Sequence, residues 1–228
     1  MKSYVISLAD REDRRQEFFS SEYIKKLDPV VIDAVTTNDE IESNHPNMAV
    51  AACWMSHLKF AKMFLDTEER FALVFEDDAE LTEEGFNFIS NLRDQDMMDI
   101  DCIQIGFNTF NGRITGRRRI FINKLLAQLS FLIESMNPSR GIAFRTIKLS
   151  NQLFVSKSFE TGTHCYLISR RLAKVMIGFN LPVIIPADVA LGELALTSNL
   201  NFYRATTSLC NQSSSPSSID FSGVRYDR

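Results

Sequence analysis

The sequence has no apolar run near the roughly 20 residues that span a bilayer. Its opening stretch, Met1–Asp10, reaches charged residues after only a short apolar stretch, so a signal peptide is not expected there. There is no CxxC pair. Cys53, Cys102, Cys165 and Cys210 are scattered, so they read as reduced thiols of a cytoplasmic protein, not as a disulfide frame or a cysteine-spaced zinc site. No GxxxxGK[ST] motif occurs, which disfavours a P-loop enzyme. Positive charge is not in excess, with 25 Lys+Arg against 29 Asp+Glu, so general nucleic-acid binding is disfavoured. An apolar share of 45% excludes a disordered chain. No internal repeat is present, and 228 residues suit one large domain or two small ones.

Short apolar runs alternate with helical patterns. Tyr4–Leu8, Val30–Val35, Phe71–Phe75, Cys102–Ile105, Leu153–Val155, Cys165–Ile168 and Phe202–Ala205 read as strands. Helices are expected from Arg11 to about Leu27, Asn47 to about Asp66, Glu83 to about Arg93, Arg170 to Ile177 and Ala187 to Thr197. Thr36–Pro46 reads as a loop, and Asn211–Ser218 as an irregular tail. This alternation predicts an α/β layered domain with helices flanking a mixed, mostly parallel sheet. In such sheets ligands sit beyond the carboxyl ends of strands.

Charge is unevenly distributed. Phe110–Ser150 holds eight basic residues and one acid, Glu134, so it carries +7 while the rest of the chain carries −11. Behind Arg117, Arg118 and Arg119, residues Phe121, Ile122, Leu125, Leu126, Leu129, Leu132, Ile133 and Met136 fall at helical spacing. Two readings fit: a basic amphipathic insert that meets an anionic membrane surface, or a helix packed on the core with a solvated basic flank.

Three strand ends carry chemistry. The run Phe71–Phe75 leads directly into Glu76, Asp77 and Asp78. If the strand continues, Glu76 and Asp78 point one way and Asp77 the other. Adjacent carboxylates repel, and either a divalent cation or an arginine relieves that repulsion. An acidic cap leading into the next helix is the plainer reading. After the first strand come Arg11, Arg14 and Arg15, which suit an anion at a helix start, although Glu12 and Asp13 also compensate them. The run Pro182–Pro186 delivers Asp188 to a helix start, as a first-turn acid or as a cleft carboxylate. His57 follows Ser56 within the second long helix, and His164 lies between Gly162 and a strand.

Val5-Ile6-Ser7-Leu8 with Arg11 and Arg14-Arg15, then Ala52–His57, Leu73–Asp78, Gly162-Thr163 with Tyr166–Ser169, Pro186 with Asp188, and Gln212 with Ser217–Ile219 occur in this order over nearly the whole chain. As an ordered set they resemble glycosyltransferase family 25, the family of bacterial lipooligosaccharide galactosyltransferases. The resemblance implies a single GT-A-like catalytic domain over residues 1–228 and inverting transfer of a hexose, galactose from UDP-galactose, to a lipooligosaccharide or lipopolysaccharide core glycan. A glucosyltransferase using UDP-glucose and a nucleotide-sugar-binding protein without turnover are the alternatives. By the resemblance, Glu76-Asp77-Asp78 stands as the DxD-like element. Asp78 with Glu76 would hold Mn²⁺ or Mg²⁺. Leu8, Arg11, Asp33, Ala34, Glu76 and Asp77 would line the nucleotide-sugar pocket. Asp188 would be the general base, and His57, His164, Gln212 and Ser218 would contact donor or acceptor. The segment Phe110–Leu149 matches nothing diagnostic; it would meet a phosphorylated glycan acceptor or the inner face of the cytoplasmic membrane.

Overall fold

The computed structural model describes residues 1–108, 146–149, 152–156 and 158–213. The chain runs β1 (Lys2–Ser7), α1 (Glu12–Ser20), α2 (Glu22–Leu27), β2 (Val30–Asp33), α3 (Met48–Leu65), β3 (Phe71–Glu76), β4 (Ala79–Leu81), α4 (Glu83–Asn91), β5 (Cys102–Gly106), β6 (Thr146–Leu149), β7 (Gln152–Ser156), β8 (Cys165–Ser169), α5 (Arg170–Gly178), α6 (Ala187–Thr197), β9 (Phe202–Ala205) and β10 (Cys210–Gln212). The fold is α/β, with a mixed ten-stranded sheet in the order β2-β1-β3-β8-β5-β9-β7-β6 and β10 bridging β4 and β5.

The sheet is less parallel than the pattern of runs suggests. Pairs β1–β2, β1–β3, β5–β9 and β5–β10 are parallel. Pairs β3–β8, β5–β8, β7–β9, β6–β7 and β4–β10 are antiparallel. Two of these come from the insertion of β8 between β3 and β5 in the opposite sense, and the others from β6, β7 and β9 at the far edge and from β10 on the β4 side; a run of apolar residues does not announce strand direction.

Period-2 alternation divides the core into two layers. Tyr4, Ile6, Ala72, Val74, Tyr166 and Ile168 face one side, where Trp54, Phe60 and Phe64 of α3 pack with α5 and α6. Val5, Leu73, Phe75, Ile103, Cys165 and Leu167 face the other, against Phe18, Ile24 and Phe88. Burial on both faces explains why β3 reads as a continuous apolar run up to Phe75. Helix α3 begins where the Asn47 side chain accepts the Ala49 N–H at 2.9 Å. Its buried residues include Trp54, Ser56 and His57.

Two expected elements differ. The helix expected from Arg11 to Leu27 is broken at Ser21, whose ψ of 128° is extended. The Ser20 hydroxyl donates to the Glu17 carbonyl at 2.6 Å, the local competition that makes serine a poor helix interior. The tail expected to be irregular from Asn211 begins as β10, which pairs antiparallel with β4 and so returns to the acidic triplet. Of the basic insert expected around residues 110–150, only Thr146–Leu149 is described, as β6; its charged and apolar stripe lies outside the described residues. Among the described residues no helix is long and apolar enough to cross a membrane.

Candidate active site

One cleft of about 1300 Å³ opens at the carboxyl ends of β1 and β3. Its walls include Ile6–Leu8 after β1, Arg14 of α1, Ala34–Asn38 after β2, Cys53, Ser56 and His57 of α3, Glu76–Asp78 after β3, Asn108 after β5, Thr161–His164 before β8, Pro186–Val189 at the start of α6, and Gln212 of β10. Because β8 runs antiparallel to β3, its amino end reaches the same rim as the carboxyl ends of its neighbours. The cleft thus lies where an open α/β sheet places its ligands.

The backbone turns after Glu76, so the carboxylates do not alternate as a continued strand would place them. Arg14 bridges Asp77 at 2.9 Å and Asp78 at 2.7 Å. The Ser7 hydroxyl donates to Asp77 at 2.7 Å, and the Gln212 amide donates to Asp78 at 3.0 Å. Glu76 turns away to His57, whose Nε2 lies 3.3 Å from Oε1, and to the Thr163 hydroxyl. Burial pushes the Asp77 carboxyl above the usual carboxylate range, against the pull of Ser7 and Arg14. Burial and the Glu76 charge do the same to Asp78, resisted by Gln212 and Arg14. For Glu76, burial acts upward, but His57 and Thr163 together outweigh it, and its carboxyl falls below the usual range.

A buried chain of donors sets the His57 ring. Burial pushes the Tyr166 phenol well up, so it stays a hydroxyl. It lies 2.8 Å from His57 Nδ1. A hydroxyl donating there leaves the ring proton on Nε2, facing Glu76; this tautomer is assigned from the hydrogen-bond pattern. The neighbouring Ser56 hydroxyl accepts the Val35 N–H at 2.9 Å and so ties the loop after β2 to α3.

Across the cleft, Asp188 sits in the first turn of α6. Its Oδ2 accepts the Gly162 N–H at 3.2 Å and its Oδ1 the Val189 N–H at 2.9 Å. Gly162 has φ +98°, a conformation that L side chains rarely adopt, and a Cβ there would lie 3.0 Å from His164 Nδ1. His164 is fully buried, and its Nε2 lies 3.0 Å from the Cys210 carbonyl, to which it donates. Its ring lies over Gly106, where a Cβ would be 2.5 Å from Cδ2.

Leu8, Ala34, His57, Glu76, Asp77, Asp78, His164, Asp188 and Gln212 therefore line one cleft. Arg11 and Asp33 are not in its wall. Arg11 forks onto Asp13 at 2.8 Å, which holds the exposed Asp13 carboxyl at about 2, and Asp33 pairs with Arg15 at 2.7 Å. Ser218 lies outside the described residues. The sequence reading set Arg14 beside Arg11 and Arg15 at a helix start and Tyr166 in a strand motif without giving either a place in the cleft, and it did not single out Asn108. Arg14 had a signal: it stands one turn before the buried Phe18 on α1, the spacing of an inward-facing pair. Tyr166 and Asn108 had none beyond their neighbourhood to strand ends.

Two features bear on metal binding. Asp78 Oδ1 is buried and has no hydrogen-bond partner among the described residues. Separately, Cys53, His57 and Glu76 each bring one ligand atom within 4.8 Å of the others. Comparison with curated proteins finds no match. The family model described as glycosyltransferase family 25 (LPS biosynthesis protein) matches residues 1–191, a span that holds Arg14, His57, the carboxylate triplet and Asp188. With most of its length matched, and with its carboxylates at the strand ends of an α/β cleft, the chain belongs to glycosyltransferase family 25.

Proposed function

We propose that this glycosyltransferase moves a hexose, galactose from UDP-galactose, onto the core glycan of a lipooligosaccharide or lipopolysaccharide, with inversion at the anomeric carbon. The observation that carries the reading is the placement of Asp188 and the Glu76–Asp78 triplet in the walls of the same cleft. Inversion needs one carboxylate on the acceptor side and charge stabilisation on the leaving-group side. Asp188 takes the proton of the acceptor hydroxyl as that oxygen bonds to the anomeric carbon. The bond from that carbon to the diphosphate breaks, and UDP leaves with the electron pair. The Gly162 and Val189 N–H groups hold the Asp188 carboxylate in a fixed orientation for this transfer.

Leu8, Ala34 and Asp77 form the nucleotide end of the cleft. Arg11 and Asp33 join it only by exchanging Asp13 and Arg15 for the donor. Asp78 and Glu76 would hold Mn²⁺ or Mg²⁺, and the buried Asp78 Oδ1, without a hydrogen-bond partner among the described residues, is the kind of oxygen such hard cations take. When bound, the ion supplies neutralisation of the departing diphosphate. Arg14 sets the charge of the acidic wall whether or not the ion is there. His57, His164 and Gln212 stand as donor or acceptor contacts. The basic segment around residues 110–150 suits a phosphorylated glycan or an anionic leaflet, which would make the enzyme peripheral to the inner membrane face.

A panel of UDP-sugars, with and without Mn²⁺ and with a deacylated core acceptor, tests this through UDP release. Release is expected with UDP-galactose and acceptor together, and Asp78→Ala should remove the Mn²⁺-dependent part of UDP affinity in calorimetry. UDP binding without release from any sugar would make the chain a binding protein instead.

A further inference from the structure

Cys53 and His57 stand four residues apart on α3, one above the other on the face that lines the cleft. Glu76 reaches the same point from the end of β3. The Cys53 sulfur, a His57 ring nitrogen and a Glu76 oxygen lie within 4.8 Å of one another. The surroundings have the features of an outer metal shell. Metal-bound imidazoles direct their second ring nitrogen to an oxygen, and His57 Nδ1 is 2.8 Å from the Tyr166 hydroxyl. The Glu76 carboxylate is held by the Thr163 hydroxyl. Asp78 and Asp188 line the same cleft, which makes its wall acidic and suited to a cation.

We propose that Cys53, His57 and Glu76 form a metal site for a thiophilic divalent ion of the zinc class, with an oxygen from the cleft as fourth ligand. The mixed sulfur, nitrogen and oxygen set suits such an ion and differs from the hard, all-oxygen set at Asp78. Binding replaces the His57–Glu76 hydrogen bond. The Cys53 proton leaves to solvent as the metal–sulfur bond forms. The His57 ring changes tautomer: Nε2 gives its proton to solvent and takes the metal, Nδ1 gains a proton from solvent, and the Tyr166 hydroxyl turns from donor to acceptor there. Glu76 is then withdrawn from the sugar donor, so the ion inhibits transfer; this consequence, unlike the site itself, rests on the transferase reading.

Cobalt(II) is the spectroscopic probe, with zinc as competitor, on the full chain without nucleotide. One equivalent of Co²⁺ should give a sulfur-to-cobalt charge-transfer band that zinc abolishes. Cys53→Ser should lose the band, and Tyr166→Phe should keep it while binding zinc about 10–100-fold more weakly. No band in the unmodified protein, or a band that survives in Cys53→Ser, overturns the site. Should Cys53→Ser not fold, X-ray absorption of the zinc-loaded unmodified chain decides: one sulfur and one imidazole are expected, and an all-oxygen shell refutes it. UDP titration in zinc-free buffer reports on the transferase reading separately.

Discussion

Replacing Arg14 with alanine tests the electrostatic logic of the cleft most directly. The guanidinium side chain is 7% exposed and bridges two carboxylates that are each 8% exposed. Removing one partner of a buried ion pair leaves uncompensated charge, at a cost of about 3–5 kcal/mol. For a chain of this size that lowers the melting temperature by roughly 6–20 °C. Ser7 and Gln212 each still donate one hydrogen bond to the pair, so the lower part of the range is expected. The sign with pH follows from burial. Asp77 and Asp78 already titrate above the usual carboxylate range in the folded protein. Their contribution to stability is full below the unfolded value near ~3.9 and falls as pH rises through the folded values. Without Arg14 both carboxyls move further up. The difference between the unmodified protein and Arg14→Ala should therefore be largest at neutral pH and shrink as pH approaches ~4. Chemical denaturation at pH 7 and near the acid limit of folding reads it. A neutral-pH loss below about 1 kcal/mol, or one that does not change with pH, would refute the buried bridge.

Asp188→Asn should lose about 10²–10⁴-fold in turnover while binding UDP as before; near-normal turnover removes Asp188 from proton transfer. Gly162→Ala must place a Cβ 3.0 Å from His164 Nδ1 at φ +98°. It should cost about 1–3 kcal/mol in denaturation and slow turnover more than it weakens UDP binding, because the Asp188 anchor moves with it. Burial pushes the Cys53, Cys102 and Cys165 thiols well up, so a disulfide reagent at neutral pH should label the native chain slowly and all four cysteines promptly after denaturation. Fast native labelling of Cys102 or Cys165 would contradict the two-layer core.

Much of the site is written locally. A strand buried on both faces has to read as an apolar run, and carboxylates that follow it have to stand at its rim. Glu76–Asp78 were legible for that reason; Asp188 was legible as a first-turn acid of the helix that starts after Pro186. Glycine before His164 marked a turn that only glycine makes without strain. Family membership too was legible, because order along the chain survives without any structure.

What the residues could not declare is who meets whom. Arg11 and Arg14 look alike in sequence, yet the phase of α1 turns Arg14 onto Asp77 and Asp78 and leaves Arg11 with Asp13. The turn after Glu76 sends neighbouring carboxylates to different partners. Strand β10 carries Gln212 to Asp78 across 134 residues, and β8 sets Tyr166 behind His57 across 109. Those contacts follow from strand order and register, which are settled by packing among distant segments; local composition carries the chemistry of each group but not the address of its partner.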